Sequence, residues 1–242
     1  YSWSHYAPPM SSVTLTNDGT TILGGSGTSS EPYLIKPGTT INVKASGTKT
    51  VPDPDATIYY DFKQSSTSQQ QGTGTTYSFT ASSTANTSYT INLDGFTKIS
   101  STSSTKKAAT ALYFKTIAMY AVTISTDGNG TVSPSGTQQV GSIAVNITAT
   151  PKIGYSFTNW TATAGITVVD KNSASTTITA TNEGTVTANF EAQPATTVYL
   201  KTTANWKSAN ARFAIYYWGA NGQNGWVDMT EVDCNRDYFT GE

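Results

Sequence analysis

The sequence has few charged residues, and the two signs nearly cancel. Asp, Glu, Lys and Arg make up 12% of its 242 residues, against roughly 25% in ordinary soluble domains. Its 14 Lys and Arg and 15 Asp and Glu give a formal net charge of -1, and no local cluster of basic residues offsets that balance. Nucleic-acid binding requires a basic patch that neutralises phosphates. We therefore expect no nucleic-acid partner.

Cysteine and histidine are nearly absent. Cys234 is the single cysteine, so no internal disulfide can form and packing alone must hold the fold. His5 is the single histidine, which excludes a histidine metal cluster and leaves a serine or cysteine triad without its base. Four carboxylates lie close together in sequence, but nothing fixes the separation that a hydrolytic pair needs: Asp228, Glu231, Asp233 and Asp237. We expect no enzyme activity, no metal and no cofactor.

Long apolar runs are also lacking. No stretch approaches the ~20 apolar residues that cross a bilayer as a helix, and no basic segment leads into an apolar core of the signal-peptide kind. The chain starts at Tyr1 rather than Met. We therefore expect no membrane insertion in this fragment, and we interpret it as a piece of a longer exported protein.

Strand-forming residues are abundant instead. Thr, Val, Ile and Tyr recur throughout, and apolar and polar residues alternate in short segments such as 12–16 and 40–45, as in half-buried strands. Turn-forming stretches separate these segments, and the Gln-rich run 69–74 is expected to be a loop. The pattern predicts an all-β protein of tandem small modules. Their expected bounds are a tail at 1–10, a sandwich at 11–119, a compact repeat at 120–192 and an incomplete sandwich at 193–242.

The first half of the chain carries a Glu-Pro-Tyr-Leu-Ile-Lys-Pro-Gly run at residues 31–38, followed by the alternating strand 40–45. About seven short strands with regular turns favour a two-sheet sandwich here. This half resembles the immunoglobulin-like domains of surface proteins from gut bacteria. The resemblance implies a fold more than a function.

The middle of the chain holds the most specific pattern. An Asp-Gly-Asn-Gly turn at 127–130 is followed by a Gly-Tyr-x-Phe-x-x-Trp run at 154–160 and a Val-x-Ala-Asn-Phe run at 186–190. Trp160 is expected in the core, because a unit this small depends on its aromatic residues for buried area. The segment resembles the bacterial repeat related to the B repeat of internalin B. That resemblance implies a compact β module that serves as a stalk or spacer in exported proteins.

The last segment has three predicted strands, at 197–201, 211–218 and 226–230, with an Asn-Trp turn at 205–206. It resembles the opening half of starch-binding modules of the family 26 type, and it ends before the strands that normally complete such a sandwich. The resemblance implies starch or a related α-glucan as the ligand.

The strand 213–218 divides its aromatic residues between two faces. A period of two places Tyr216 and Trp218 on one face, and Ile215 and Tyr217 on the other with Phe213. Because sugar rings stack on aromatic faces, we predict a carbohydrate-binding platform from a set of exposed aromatic residues: Tyr216 and Trp218, with Trp206 or Trp226. The alternative is that these residues fill the interior of a sandwich.

Taken together, the patterns predict a non-catalytic part of an exported or cell-surface bacterial protein that acts in attachment, with spacer modules presenting a glycan-binding module. A polysaccharide or surface glycan is the expected partner. Two alternatives stay open. The chain is a structural or adhesive stalk that binds a host or bacterial surface protein, or it is a set of accessory modules of a large glycoside hydrolase.

Overall fold

Every regular element in the described part of the chain is a β-strand, which confirms the all-β prediction. The computed structural model describes residues 6–194, 198–201, 212–218, 224–233 and 238–241. The chain divides into two compact units. The first comprises Tyr1–Tyr120 with Val140–Ile143, and the second comprises Ala121–Gln139 with Ala144–Glu242.

The first unit contains two sheets built from ten strands. These are β1 (Met10–Asn17), β2 (Tyr33–Ile35), β3 (Thr40–Lys49), β4 (Thr57–Gln64), β5 (Thr67–Gly72), β6 (Thr76–Thr80), β7 (Ser88–Ile99), β8 (Thr102–Ser103), β9 (Lys107–Ala108) and β10 (Leu112–Thr116). One sheet has the order β1-β3-β6, and the other has the order β2-β10-β7-β4-β5, with β8 and β9 added on β7. β10 runs parallel to β2 and antiparallel to β7.

Apolar side chains from both sheets pack into one core in this unit. Alternation in the sequence explains this packing, since Ile41, Val43 and Ala45 of β3 are buried and the residues between them are not. The fully buried members of the core come from both sheets and include Ile35, Ile41, Val43, Phe62, Ile91, Leu93 and Phe114. The strand prediction at 40–45 is thereby confirmed, whereas the Gln-rich run expected as a loop forms most of β5 instead.

A charged network lies on the opposite side of β4 from this core. Asp61 is only 2% exposed; its carboxylate accepts hydrogen bonds from Ser68 Oγ at 2.5 Å and from Lys106 Nζ at 2.7 Å. Lys63 Nζ donates to Asp94 Oδ2 at 2.5 Å and lies 3.9 Å from Asp61 Oδ2. Burial raises the pKa of Asp61, but the hydrogen bonds from Lys106 and Ser68 outweigh it and hold that pKa below its usual range. The buried carboxylate is therefore charged and fully partnered.

The middle segment, residues 120–194, contains two four-stranded sheets. Its strands are β11 (Tyr120–Thr126), β12 (Gly130–Ser133), β13 (Gly136–Val140), β14 (Val145–Pro151), β15 (Tyr155–Ala162), β16 (Ile166–Val168), β17 (Ser175–Ala180) and β18 (Gly184–Ala192). The sheet orders are β13-β11-β18-β15 and β12-β14-β17-β16. The first strand of the segment, β11, and its last, β18, are parallel neighbours.

Trp160 lies at the centre of this segment, with no exposed surface, as the sequence predicts. Its indole Nε1 donates to the Ser173 carbonyl oxygen at 2.9 Å, so the buried N–H is satisfied. Phe157 packs against the Trp160 ring at 5.6 Å between centroids and against Phe190 at 5.9 Å. The Gly-Tyr-x-Phe-x-x-Trp and Val-x-Ala-Asn-Phe runs therefore meet in one aromatic cluster.

Hydroxyl groups cover the outer face of the sheet β13-β11-β18-β15. Oxygen pairs join neighbouring strands along this face: Thr123 to Thr137 at 3.0 Å, Ser125 to Thr187 at 3.3 Å and Thr163 to Thr185 at 3.1 Å. Cross-strand pairs of this kind stabilise a sheet by a few tenths of a kcal/mol up to ~1 kcal/mol each. The face is therefore polar without carrying charge at these positions.

In the described parts of the last segment, five strands form two sheets. β19 (Val198–Lys201), β22 (Thr230–Asp233) and β23 (Tyr238–Gly241) form the order β19-β23-β22, while β20 (Ala214–Trp218) and β21 (Asn224–Asp228) form a hairpin. The predicted strand 226–230 is split at Met229, whose N–H donates to the Phe213 carbonyl oxygen at 2.8 Å. That hydrogen bond continues the β20–β21 register by one residue beyond the Ala214–Asp228 pair.

Candidate functional site

The hairpin β20-β21 presents two aromatic side chains side by side. Its antiparallel register pairs Tyr216 with Trp226, and the two ring centroids lie 5.0 Å apart with their planes at 51°. Tyr216 is 41% exposed and Trp226 is 72% exposed. Single exposed apolar residues are ordinary, but two aromatic rings in contact on an exposed face offer a surface on which a sugar ring can stack, so this pair is the candidate for a binding surface.

Alternation along the two strands explains why these rings face outward. Ile215 and Tyr217 on β20, and Val227 on β21, are half-buried, whereas the residues between them are exposed. The predicted division of faces is therefore confirmed for Tyr216, Ile215 and Tyr217. A role of Tyr216 in sugar binding stays a prediction.

The other two predicted site residues are Trp206 and Trp218. Trp206 lies outside the described residues, and so do His5 and Cys234. Trp218 is the last residue of β20 and occupies the register position opposite Asn224. The structure thus brings together Tyr216 and Trp226, of which Trp226 was predicted only as an optional partner.

A signal for the Tyr216–Trp226 pair was present in the sequence. Asn221-Gly222 lies midway between the two aromatic residues, and an Asn-Gly step between two alternating segments is a strong hairpin indicator. A hairpin centred there places residues 216 and 226 opposite each other or one position apart. Period-two reasoning on β20 alone could not identify this partner.

An ion pair lies at the far end of the same hairpin. Arg212 Nη2 is 3.2 Å from Asp228 Oδ2, and the two side chains are 86% and 73% exposed. Asp228 is opposite Ala214, two residues before Tyr216 on β20. Such an exposed pair adds only ~0–1 kcal/mol to stability. The Arg212–Asp228 pair does supply hydrogen-bond donors and acceptors on the same hairpin as the aromatic rings, and the pair has no net charge.

No group of three or more His, Cys, Asp and Glu side chains that could hold a metal ion occurs among residues 6–194 and the shorter described stretches that follow. Over the same residues, no helix has the length and hydropathy needed to span a bilayer.

Comparison with solved structures finds a remote similarity to the Bacillus anthracis TIE protein. The two are 8% identical, with 95% of this chain and 50% of that chain covered, at a TM-score of 0.21. The chain thus spans about half the length of that structure, and a similarity at this level supports no argument about fold or function. No curated protein matches the chain.

Comparison with protein families gives a match for the middle of the chain. Residues 120–194 match the family model described as a divergent InlB B-repeat domain. This confirms the internalin-type resemblance of the middle segment. The immunoglobulin-like and starch-binding resemblances of the other two segments stay predictions. The InlB B-repeat family is found in surface or secreted bacterial proteins, and this chain contains a segment similar to it.

Proposed function

We propose that the chain belongs to an exported, non-catalytic bacterial protein in which small β modules hold a glycan-binding face away from the cell surface. The B-repeat match supports an extracellular setting. The observation that carries the glycan proposal is the exposed Tyr216–Trp226 pair. The module bounds predicted from the sequence, 11–119, 120–192 and 193–242, are part of the same proposal.

The pair suits a sugar for a chemical reason. A sugar ring presents C–H groups that stack on an indole or phenol face, while its hydroxyls need nearby donors and acceptors. Trp226 and Tyr216 offer the faces, and Arg212 and Asp228 offer the polar groups on the same hairpin.

The tilt between the rings favours a curved glycan. Two planes at 51° cannot both lie flat on a straight ribbon of sugars, but they can follow a chain that bends. An α-glucan such as starch bends in this way, in agreement with the ligand implied by the starch-binding resemblance. The neutral surroundings of the rings favour an uncharged glycan over an acidic one.

Affinity electrophoresis tests this proposal on the full chain. We expect retardation in native gels that contain soluble starch, and weaker retardation with a straight β-glucan or an acidic polysaccharide. Trp226→Ala should weaken starch binding by about ten-fold, equal to ~1.4 kcal/mol, since it removes the more exposed ring. Tyr6→Ala is the matched control, because Tyr6 is also an exposed aromatic residue, at 67%, but lies in the first unit.

Two outcomes would contradict the proposal. If no polysaccharide retards the protein, the stalk that contacts a protein partner becomes the better interpretation. If Trp226→Ala and Tyr6→Ala bind starch equally well, the aromatic pair is not the site. The remaining alternative, accessory modules of a glycoside hydrolase, predicts glycan binding as well and requires a catalytic domain in the parent protein.

A further inference from the structure

The two terminal strands of the middle segment are hydrogen-bonded to each other. β11 and β18 run parallel, with Val122 opposite Gly184 and Thr126 opposite Ala188 at the two ends of the register. The chain enters the segment at the start of β11 and leaves it at the end of β18. Because the strands are parallel, the entry and exit points lie at opposite ends of the paired region.

This arrangement determines how a pulling force acts. Tension between residues 120 and 194 pulls the two strands past each other along their length. All the hydrogen bonds between them are then loaded together, since bonds in a parallel pair are evenly spaced along the strands. If the strands were instead pulled apart from one end, the bonds would break one after another at a lower force.

Further contacts lengthen the paired region beyond the ladder. The Asp127 N–H donates to the Ala188 carbonyl oxygen at 3.1 Å, and Asp127 Oδ2 accepts from the Phe190 N–H at 2.8 Å. The Phe190 N–H lowers the pKa of this carboxyl, so it is charged at neutral pH. A hydrogen bond to a charged group is stronger than one between neutral groups. Asp127 therefore ties β18 to the turn that follows β11.

Water has little access to these hydrogen bonds from the core side. Val122 and Ile124 on β11, and Val186 and Ala188 on β18, are all at most 1% exposed. On its other edge β18 pairs with β15 from Ala192 to Val186, so it is held on both sides. Bonds shielded in this way exchange slowly with water and resist transient opening.

We propose that residues 120–194 form a mechanical clamp, in which the parallel β11–β18 pair resists tension transmitted along the chain. This is a function beyond spacing, and it stands whether or not the last segment binds a glycan. A module between a bacterial surface and a bound ligand carries tension whenever the two are pulled apart. Resistance to unfolding keeps the attachment intact under flow.

Single-molecule pulling on the full chain tests the clamp. The chain is held by a tag at its N-terminus and by one engineered cysteine, with Cys234→Ser so that the attachment is unique. Pro194→Cys places the second handle beyond β18 and loads the pair lengthwise. Glu183→Cys places it before β18, at the same end as the start of β11, and peels the pair open. Both positions are exposed, and the fold under test is the same.

We expect the Pro194 handle to give a several-fold higher rupture force than the Glu183 handle. Its rupture should release the contour length of residues 120–194 at ~3.5 Å per residue. Asp127→Ala should reduce the ratio of the two forces. Asp170→Ala should leave the ratio unchanged, because Asp170 Oδ1 accepts only a local N–H, that of Asn172 at 2.9 Å. Equal forces from the two handles would overturn the proposal, and so would an Asp127→Ala variant that lowers both forces in proportion.

Discussion

Gly130 shows how packing, rather than backbone freedom, can require a glycine. A Cβ atom at this position would lie 2.3 Å from Phe190 Cζ, far inside normal contact distance. The Phe190 ring cannot simply swing away, since it is 8% exposed and packs edge-on against Phe157. The final Gly of the Asp-Gly-Asn-Gly turn therefore belongs to the aromatic core as much as to the turn.

We expect Gly130→Ala to lower the free energy of unfolding by about 1–3 kcal/mol, the range for overpacking a filled core. Urea denaturation followed by tryptophan fluorescence measures it. Gly72→Ala is the control, because a Cβ there meets nothing within 4 Å, and it should change stability by at most ~0.5 kcal/mol. Equal effects of the two substitutions would contradict this account of Gly130.

At the scale of elements, β18 is the strand on which the middle segment most depends. It lies between β11 and β15 and forms ladders with both, so its backbone groups are engaged on either side. A proline within it removes a donor and introduces a ring where a neighbouring strand lies.

We expect Thr187→Pro to destabilise the middle segment by ~3 kcal/mol or more. Thr187→Val keeps the backbone donor and the β-branched shape, and loses only the hydroxyl contact to Ser125 at 3.3 Å. It should stay within ~0.5 kcal/mol of the parent protein. Thermal unfolding followed by circular dichroism measures the stability of both variants. If the Val variant is as unstable as the Pro variant, the loss of stability comes from the missing hydroxyl and not from the backbone.

Local alternation was enough to predict some elements and not others. It identified β3, because the burial of each residue there depends on the face that the residue occupies. It missed β5, whose residues are all polar and exposed or half-buried, so that no apolar period marks the strand. The burial of Asp61 had no local signal either, since Asp61 lies on β4 between the inward-facing Tyr60 and Phe62. Lys106, far away in sequence, covers that carboxylate.

The candidate site, too, could be predicted from the sequence only in part. Exposure of Tyr216 followed from the period of its own strand. Its pairing with Trp226 depends on the hairpin register, which no single strand specifies. The β11–β18 pair was likewise out of reach, because its partners are about sixty residues apart and no local pattern encodes parallel pairing.

For the molecule as a whole, the described ionisable groups predict a broad pH plateau of stability. The pKa values of Asp61 and Asp127 are lowered in the folded state. Each carboxylate therefore contributes stability that is present above the unfolded pKa of ~3.9 and is lost as the pH falls through the folded pKa. Hydrogen bonding to Asp94 raises the pKa of Lys63, so its contribution is lost only as the pH rises above ~10.4.

We expect the melting temperature to be nearly constant from about pH 5 to pH 9 and to fall below about pH 4. Calorimetry over a pH series measures it. Lys106→Met removes a hydrogen bond that lowers the Asp61 pKa. The Lys106→Met variant should therefore be less stable than the parent protein at neutral pH, and it should lose less stability when the pH is lowered. A steep change in melting temperature between pH 5 and pH 9 would contradict the plateau.

The hydroxyl-covered outer face of the middle segment has a consequence for the conditions in which the protein works. Threonine and serine hydroxyls neither titrate in this range nor gather counterions, so they keep a sheet wettable without help from electrostatic repulsion. Wetting that rests on such groups depends little on ionic strength or on pH. A face of this kind suits surroundings whose ionic composition the cell does not regulate.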